Sequence, residues 1–160
     1  MAESALPHAK DTAVSTTFES MGLNKALLQA LASEGYTKPT PIQEKAIPDV
    51  MAGKDLLGIA QTGTGKTAAF ALPILHRLAE TRIAPKPRTT RVLVLSPTRE
   101  LATQIGDSFK AYGAHLGFRV AVIFGGVKYG AQERALQQGL DILVAAPGRG
   151  ADPRRGRPDA

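Results

Sequence analysis

The chain has 160 residues, of which 43% are hydrophobic and 21% charged, a composition typical of one soluble globular domain rather than a disordered or fibrous chain. The absence of cysteine excludes a disulfide scaffold, a thiolate metal site and a cysteine nucleophile. Twenty Lys and Arg against 14 Asp and Glu give a formal net charge of +6, which favours polyanionic partners.

The chain shows no sign of a membrane segment, a secretion signal or a zinc site. No apolar run approaches the ~20 residues needed to span a bilayer. Residues 1–17 are polar, with Glu3 and Asp11, and lack the apolar centre of a signal peptide. His8, His76 and His115 lie far apart without ligand spacing. We therefore expect a flexible leader over residues 1–17 and a cytoplasmic protein with no membrane partner.

Two helices are predicted in the first third of the chain. Leu23, Leu27, Leu28 and Leu31 follow helical spacing, and Gly35 is typical of a helix C-terminus. A second helix is predicted to begin at Pro41, with Thr40 as its N-cap and Gln43 completing a capping box.

From residue 55 onwards, apolar strands alternate with helices. Strands are predicted over residues 56–60, 91–95, 119–124 and 142–145. Helices are predicted over residues 66 to about 78, with a kink or early stop at Pro73, 99 to about 116, and 132–138. Residues 81–90, with two prolines and three cations, predict an exposed loop. Continuous apolar strands separated by helices are typical of an α/β domain, a parallel sheet with flanking helices.

The most informative segment lies between the first predicted strand and the following helix. It comprises Ala60, Gln61, Thr62, Gly63, Thr64, Gly65, Lys66 and Thr67. Its glycines let backbone amides point into one concavity, at the positive end of a helix. The pattern is that of a phosphate-binding loop, with Ala60 where the strict pattern has glycine. The alternative is a glycine-rich turn without a ligand.

The phosphate-loop interpretation assigns roles to two of these residues. Lys66 is expected to reach the β- and γ-phosphates of a nucleotide, and the Thr67 hydroxyl to hold Mg²⁺. Lys66 and Thr67 are therefore the predicted catalytic residues.

Three further segments, taken with the loop, resemble the DEAD-box ATP-dependent RNA helicases. Residues 35–43, with Phe18 upstream, look like the family's Q motif. The resemblance implies that ATP is the cofactor, that the Gln43 amide pairs with adenine and that Tyr36 packs on its ring. An amide offers one donor and one acceptor, as adenine N6 and N7 require. In the alternative, Gln43 only caps its helix and Tyr36 belongs to the core, and both roles can coexist.

The other two segments resemble motifs that contact the RNA backbone. They are residues 96–102 and the pair formed by residues 125–126 and 146–149, where Ala146 replaces the family's usual threonine. The resemblance implies RNA contacts at seven residues that follow predicted strands: Pro97, Thr98, Arg99, Gly125, Gly126, Gly148 and Arg149. The implied partner is single-stranded RNA or a short duplex, bound independently of sequence.

The resemblance covers residues 18–149 and implies a RecA-like phosphate-loop NTPase domain, incomplete at its C-terminus. The 160 residues contain neither the Asp-Glu-Ala-Asp motif, which holds Mg²⁺ and orients water in the family, nor a Ser-Ala-Thr motif. We therefore expect the first part of a helicase ATP-binding domain that is inactive alone. Residues 150–160 are expected to be a disordered basic tail foreign to the fold, as out-of-frame translation would produce. A natural tail and a deliberately engineered end are the alternatives. Two other functions stay open: a non-catalytic nucleotide- or RNA-binding remnant, and another phosphate-loop ATPase.

Overall fold

The computed structural model describes residues 16–124 and 129–147. The helices are α1 (Lys25–Ser33), α2 (Pro41–Met51), α3 (Lys66–Thr81), α4 (Arg99–Tyr112) and α5 (Tyr129–Gln138). The strands are β1 (Thr90–Leu95), β2 (Val120–Phe124) and β3 (Leu140–Ala146). Nearly all of the predicted leader and the whole of the predicted tail lie outside the described residues. In this part of the chain, no helix combines the length and the apolar character that crossing a membrane requires.

The first helix ends, and the second begins, where the sequence predicts. Gly35 follows α1 with a φ of 77°, and the Tyr36 amide donates to the Leu31 carbonyl at 2.9 Å. This is the bond that closes a helix through a left-handed glycine. Helix α2 has Pro41 at its first position, and Gln43 Oε1 accepts from the Thr40 amide at 3.0 Å. The predicted caps of both helices are therefore confirmed.

The three described strands form a parallel sheet in the order β1-β3-β2. Central strand β3 is the most buried, and Ile142 and Val144 are fully covered. Helices α3 and α4 pack with the sheet around one core that includes Leu72, Leu75 and Phe109. The predicted α/β class with a parallel sheet and flanking helices is confirmed.

The C-terminal ends of α3 and α4 differ from the sequence predictions. Helix α3 continues through Pro73 to Thr81, so an early stop at Pro73 is wrong. Pro73 is buried between the fully buried Leu72 and Leu75, and this packing compensates for the backbone hydrogen bond that proline cannot make. Helix α4 ends at Tyr112 rather than near residue 116, with Gly113 as its C-cap.

The predicted strand over residues 56–60 is wrong. This segment has no strand neighbour among the described residues, and 86% of Leu57 and 85% of Ile59 are exposed. An apolar run gives a segment the tendency to form a strand, but the strand itself needs a neighbouring backbone to bond to. One edge of β1 is likewise unpaired within the described sheet.

The exposure of residues 56–60 predicts a contrast in stability. Replacing Leu57 and Ile59 together with serine is expected to change the free energy of unfolding by less than about 1 kcal/mol, since little buried area is lost. Leu72→Ala is expected to cost about 2–5 kcal/mol through the cavity it leaves. Urea unfolding followed by circular dichroism measures both. A loss in the double variant as large as that of Leu72→Ala would contradict the described exposure.

Candidate nucleotide-binding site

The predicted phosphate loop forms a tight turn immediately before α3. Gly63 and Gly65 adopt left-handed conformations, with φ of 76° and 80°, and the Thr64 hydroxyl donates to the Gln61 carbonyl at 2.7 Å. The backbone amides of residues 63–67 donate hydrogen bonds to no acceptor among the described residues. These amides stand at the N-terminal end of α3, where free donors and the helix dipole both favour an anion.

Lys66 and Thr67 occupy the first turn of α3. The Lys66 side chain is exposed, and its Nζ donates to the Ala60 carbonyl, so the ammonium group lies back over the loop. Thr67 is half-buried. Within residues 16–124 and 129–147, no three acidic or histidine side chains are grouped as metal ligands.

The first turn of α2 is hydrogen-bonded to the phosphate loop. The Thr40 hydroxyl donates to the Thr64 carbonyl at 2.8 Å, and Gln43 Nε2 donates to the Gly65 carbonyl at 3.1 Å. Because a trans peptide is planar, its carbonyl and its amide point in opposite directions. Holding these two carbonyls towards α2 therefore directs the Gly65 and Lys66 amides away from it.

Gln43 is fully buried, and both ends of its side-chain amide are engaged. Oε1 caps α2 through the Thr40 amide, and Nε2 binds the loop. One amide hydrogen and one lone pair remain uncommitted. The described geometry thus gives Gln43 a capping role and a loop-holding role, and adenine recognition by Gln43 stays a prediction.

The two predicted aromatic residues lie together. Phe18 is buried in the core, Tyr36 is 39% exposed, and both line one cavity of about 310 Å³. The Tyr36 ring meets Tyr112 edge-on, with centroids 6.0 Å apart and hydroxyl oxygens at 3.3 Å. Burial and this hydrogen bond raise the pKa of Tyr112. Among the described residues, neither Phe18 nor Tyr36 has a hydrogen bond or ring contact with the phosphate loop.

Three of the seven predicted RNA-contact residues are described, and all three are exposed after β1. They are Pro97, Thr98 and Arg99. Thr98 caps α4 by accepting from the Leu101 amide at 3.2 Å, and the Arg99 guanidinium lies 5.7 Å from the centroid of the Phe124 ring at the end of β2. Gly125, Gly126, Gly148 and Arg149 lie outside the described residues.

The start of α4 and the phosphate loop face a common space. Lys66, Thr67, Leu101 and Ile105 line one cavity of about 350 Å³, together with Leu56 on the unpaired segment. Since α4 follows the carboxyl end of β1, the loop lies at that edge of the sheet. Ligands of open parallel sheets bind at this edge.

Sequence reasoning missed two partners in this region. Thr40 was expected only to cap a helix, and its donation to the loop has no sequence signal beyond the capping pattern. Tyr112 lies 76 residues from Tyr36, and no local pattern joins them.

Comparison with known proteins identifies the family. The family model described as DEAD/DEAH box helicase matches residues 40–156, and the chain belongs to this family. It is 47% identical over 135 residues to ATP-dependent RNA helicase DeaD of Klebsiella pneumoniae, which covers 84% of this chain and 20% of that protein. It is 50% identical over 136 residues to ATP-dependent rRNA helicase RRP3 of Gibberella zeae, covering 85% and 27% respectively.

A solved structure gives the same assignment. The fold resembles the crystal structure of a hypothetical ATP-dependent RNA helicase from Sulfolobus tokodaii, with a TM-score of 0.69 and 36% identity. The match covers 83% of this chain and 37% of that one. The predicted family and the RecA-like α/β fold are thereby confirmed. The chain spans between a fifth and about a quarter of the two relatives named above.

The contact between Gln43 and Gly65 predicts unequal effects of alanine at the two loop glycines. A Cβ on Gly65 would lie 2.3 Å from Gln43 Nε2, whereas a Cβ on Gly63 would meet no atom within 4 Å. Both changes impose a left-handed conformation on alanine, at about 1–2 kcal/mol. Gly65→Ala is expected to cost about 1–3 kcal/mol more, because it displaces a buried amide from its acceptor.

Urea unfolding of the two variants, alone and combined with Gln43→Ala, measures this difference. The excess cost of Gly65→Ala should vanish in the Gln43→Ala background. Equal losses for Gly63→Ala and Gly65→Ala in the otherwise unchanged chain would contradict the described contact.

Proposed function

We propose that this chain binds ATP with Mg²⁺ and the RNA backbone, as the nucleotide-binding part of a cytoplasmic ATP-dependent RNA helicase. The observation that carries the proposal is the phosphate loop, with its free amides, exposed Lys66 and attachment to α2. Family membership supports it, since the relatives named above are ATP-dependent helicases acting on RNA.

The loop residues fit a triphosphate by their own chemistry. Amides at the start of α3 donate to phosphate oxygens, and Lys66 exchanges the Ala60 carbonyl for a phosphate oxygen. Thr67 supplies a hydroxyl ligand to the metal. Bound Mg²⁺ neutralises charge that develops on the phosphates. Ala60, Gln61, Thr62 and Thr64 complete the proposed loop, in which the Thr64 hydroxyl donates to the Gln61 carbonyl.

Adenine recognition is assigned to the Q-motif residues. Gln43 has one amide hydrogen and one lone pair left, which match the adenine edge once the side chain is uncovered. Tyr36 presents a half-exposed ring suited to stacking, and the buried Phe18 lines the same cavity.

RNA binding is assigned to the carboxyl edge of the sheet. Thr98 and Arg99 are exposed there, and Arg99 can make a forked contact with a phosphate. Pro97, Gly125, Gly126, Gly148 and Arg149 belong to the same proposed surface on the resemblance of their motifs. Backbone contacts of this kind are independent of base sequence.

In the intact helicase, binding of ATP is proposed to favour closure of two domains around single-stranded RNA. The alternative is a non-catalytic nucleotide- or RNA-binding protein. The two candidates differ in hydrolysis, which requires carboxylates to position metal and water. RNA-stimulated phosphate release from the purified chain, lost on Lys66→Ala, would favour the enzyme.

Nucleotide choice tests the proposed site. ATP is expected to bind more tightly than GTP by about 1–3 kcal/mol, the discrimination typical of a two-point contact to a base edge. Lys66→Ala should reduce the binding of both ATP and GTP below detection, since the phosphates lose their main counter-charge. Isothermal titration in the presence of Mg²⁺ measures both effects, and Lys45→Ala on exposed α2 surface is the matched control. Equal affinity for ATP and GTP would remove the adenine assignment.

Salt dependence tests the proposed RNA surface. Arg99→Ala combined with Arg149→Ala is expected to weaken binding of single-stranded RNA. It should also lower the slope of log affinity against log salt concentration by about 1.4, because each phosphate contact on a single strand contributes about 0.7. Fluorescence anisotropy at several salt concentrations measures the slope. An unchanged slope would exclude these two arginines from the RNA surface.

A further inference from the structure

A cavity of about 390 Å³ lies at the amino-terminal edge of the sheet, away from the phosphate loop. The loop after α3 and the loop after α4 enclose it, together with the first residues of β1 and β3. Its ionisable lining consists of Arg82, Arg91, His115, Arg119 and Asp141. Three arginines therefore face a single carboxylate.

That carboxylate is already fully engaged. Asp141 Oδ1 pairs with Arg91 Nη1 at 3.2 Å, and Oδ2 accepts from the Arg119 backbone amide at 2.9 Å. The Asp141 and Arg91 side chains are only 8% and 15% exposed. Arg91 also donates to the Leu78 carbonyl at 3.4 Å and to the Thr81 hydroxyl, near the end of α3. Arg91 and Asp141 thus neutralise each other and fix the wall of the cavity.

The other two arginines keep their charge uncompensated. The Arg119 guanidinium donates one hydrogen bond to the Gln138 carbonyl at 3.0 Å, and it has further N–H donors. The exposed Arg82 side chain has no hydrogen bond or ion pair with any described residue. The loop over residues 82–89 adds Lys86 and Arg88 and contains no acid. The cavity therefore carries an excess positive charge and unused guanidinium donors.

We propose that this cavity is a second phosphate-binding site, formed mainly by Arg82 and Arg119. Guanidinium groups bind phosphate oxygens through paired N–H donors, and a concave wall brings two of them to one anion. The site is separate from the proposed ATP and RNA surfaces, because it lies at the opposite ends of strands that are roughly 20 Å long. A phosphate of a nucleic-acid strand and a free phosphate ligand share this chemistry.

The test uses the full chain with Arg82→Gln and Arg119→Gln, singly and together. Binding of a fluorescein-labelled oligouridylate is followed by anisotropy across a salt series. Binding of pyrophosphate is followed by titration calorimetry in a Lys66→Ala background, in which the phosphate loop is expected not to bind it. Lys25→Gln with Lys45→Gln is the matched control, since it removes two exposed charges from α1 and α2. Arg82→Gln alone removes no described hydrogen bond or ion pair, and circular dichroism checks the fold of each variant.

We expect the double arginine variant to lower the salt slope of RNA binding by about 1.4 and the control pair to leave it unchanged. That result assigns the site to a nucleic-acid strand. An unchanged RNA slope with loss of pyrophosphate binding assigns it to a free phosphate ligand. If neither quantity changes beyond the control, the proposal is overturned. The proposed ATP site is tested separately by the effect of Lys66→Ala on ATP binding, so the proposal of a second phosphate site and the proposed function can fail independently.

Discussion

Two hydrogen bonds from the first turn of α2 hold the phosphate loop, and the geometry of the candidate site depends on them. Thr40 and Gln43 bind successive loop carbonyls, at 2.8 and 3.1 Å. Each bond is worth about 1 kcal/mol when both partners are present, and leaving the buried Gln43 amide unpaired costs about 1–3 kcal/mol. Because each peptide is planar, holding its carbonyl towards α2 also fixes the direction of the following amide at the start of α3. The residues that would read the base and those that would hold the phosphates are thus mechanically connected.

The parallel sheet gives its two edges different chemistry. At the carboxyl edge, strands run into helix N-termini, so free amides and exposed polar side chains such as Thr98 and Arg99 accumulate there. At the amino edge, Arg91 at the start of β1 binds the Leu78 carbonyl near the end of α3 and pairs with Asp141 at the start of β3. Arg82 and Arg119 then remain as charge that the fold itself does not use. Exposed arginines therefore occur at both edges of the described sheet, Arg99 at the carboxyl edge and Arg82 at the amino edge.

Local patterns predicted most of this fold, and contacts distant in sequence account for what they missed. The caps at Gly35 and Pro41 and the strands β1, β2 and β3 follow from residue types a few positions apart. The strand over residues 56–60 failed because strand formation depends on a neighbour, which apolar character alone does not supply. The bond between Gln43 and Gly65 spans 22 residues, and no periodicity encodes it. The candidate loop itself was predictable because phosphate binding needs a fixed local sequence.

The most direct test of the loop-holding role is the ATP affinity of two variants at Thr40, a residue that no part of the account places in contact with the nucleotide. Thr40→Val removes the hydroxyl that binds the Thr64 carbonyl and keeps the side-chain shape, whereas Thr40→Ser retains the hydroxyl. Titration calorimetry with ATP and Mg²⁺ should show binding weakened by about 1 kcal/mol in Thr40→Val, the worth of one hydrogen bond, and near-normal binding in Thr40→Ser. Unchanged affinity in Thr40→Val would contradict the claim that α2 sets the geometry of the phosphate loop.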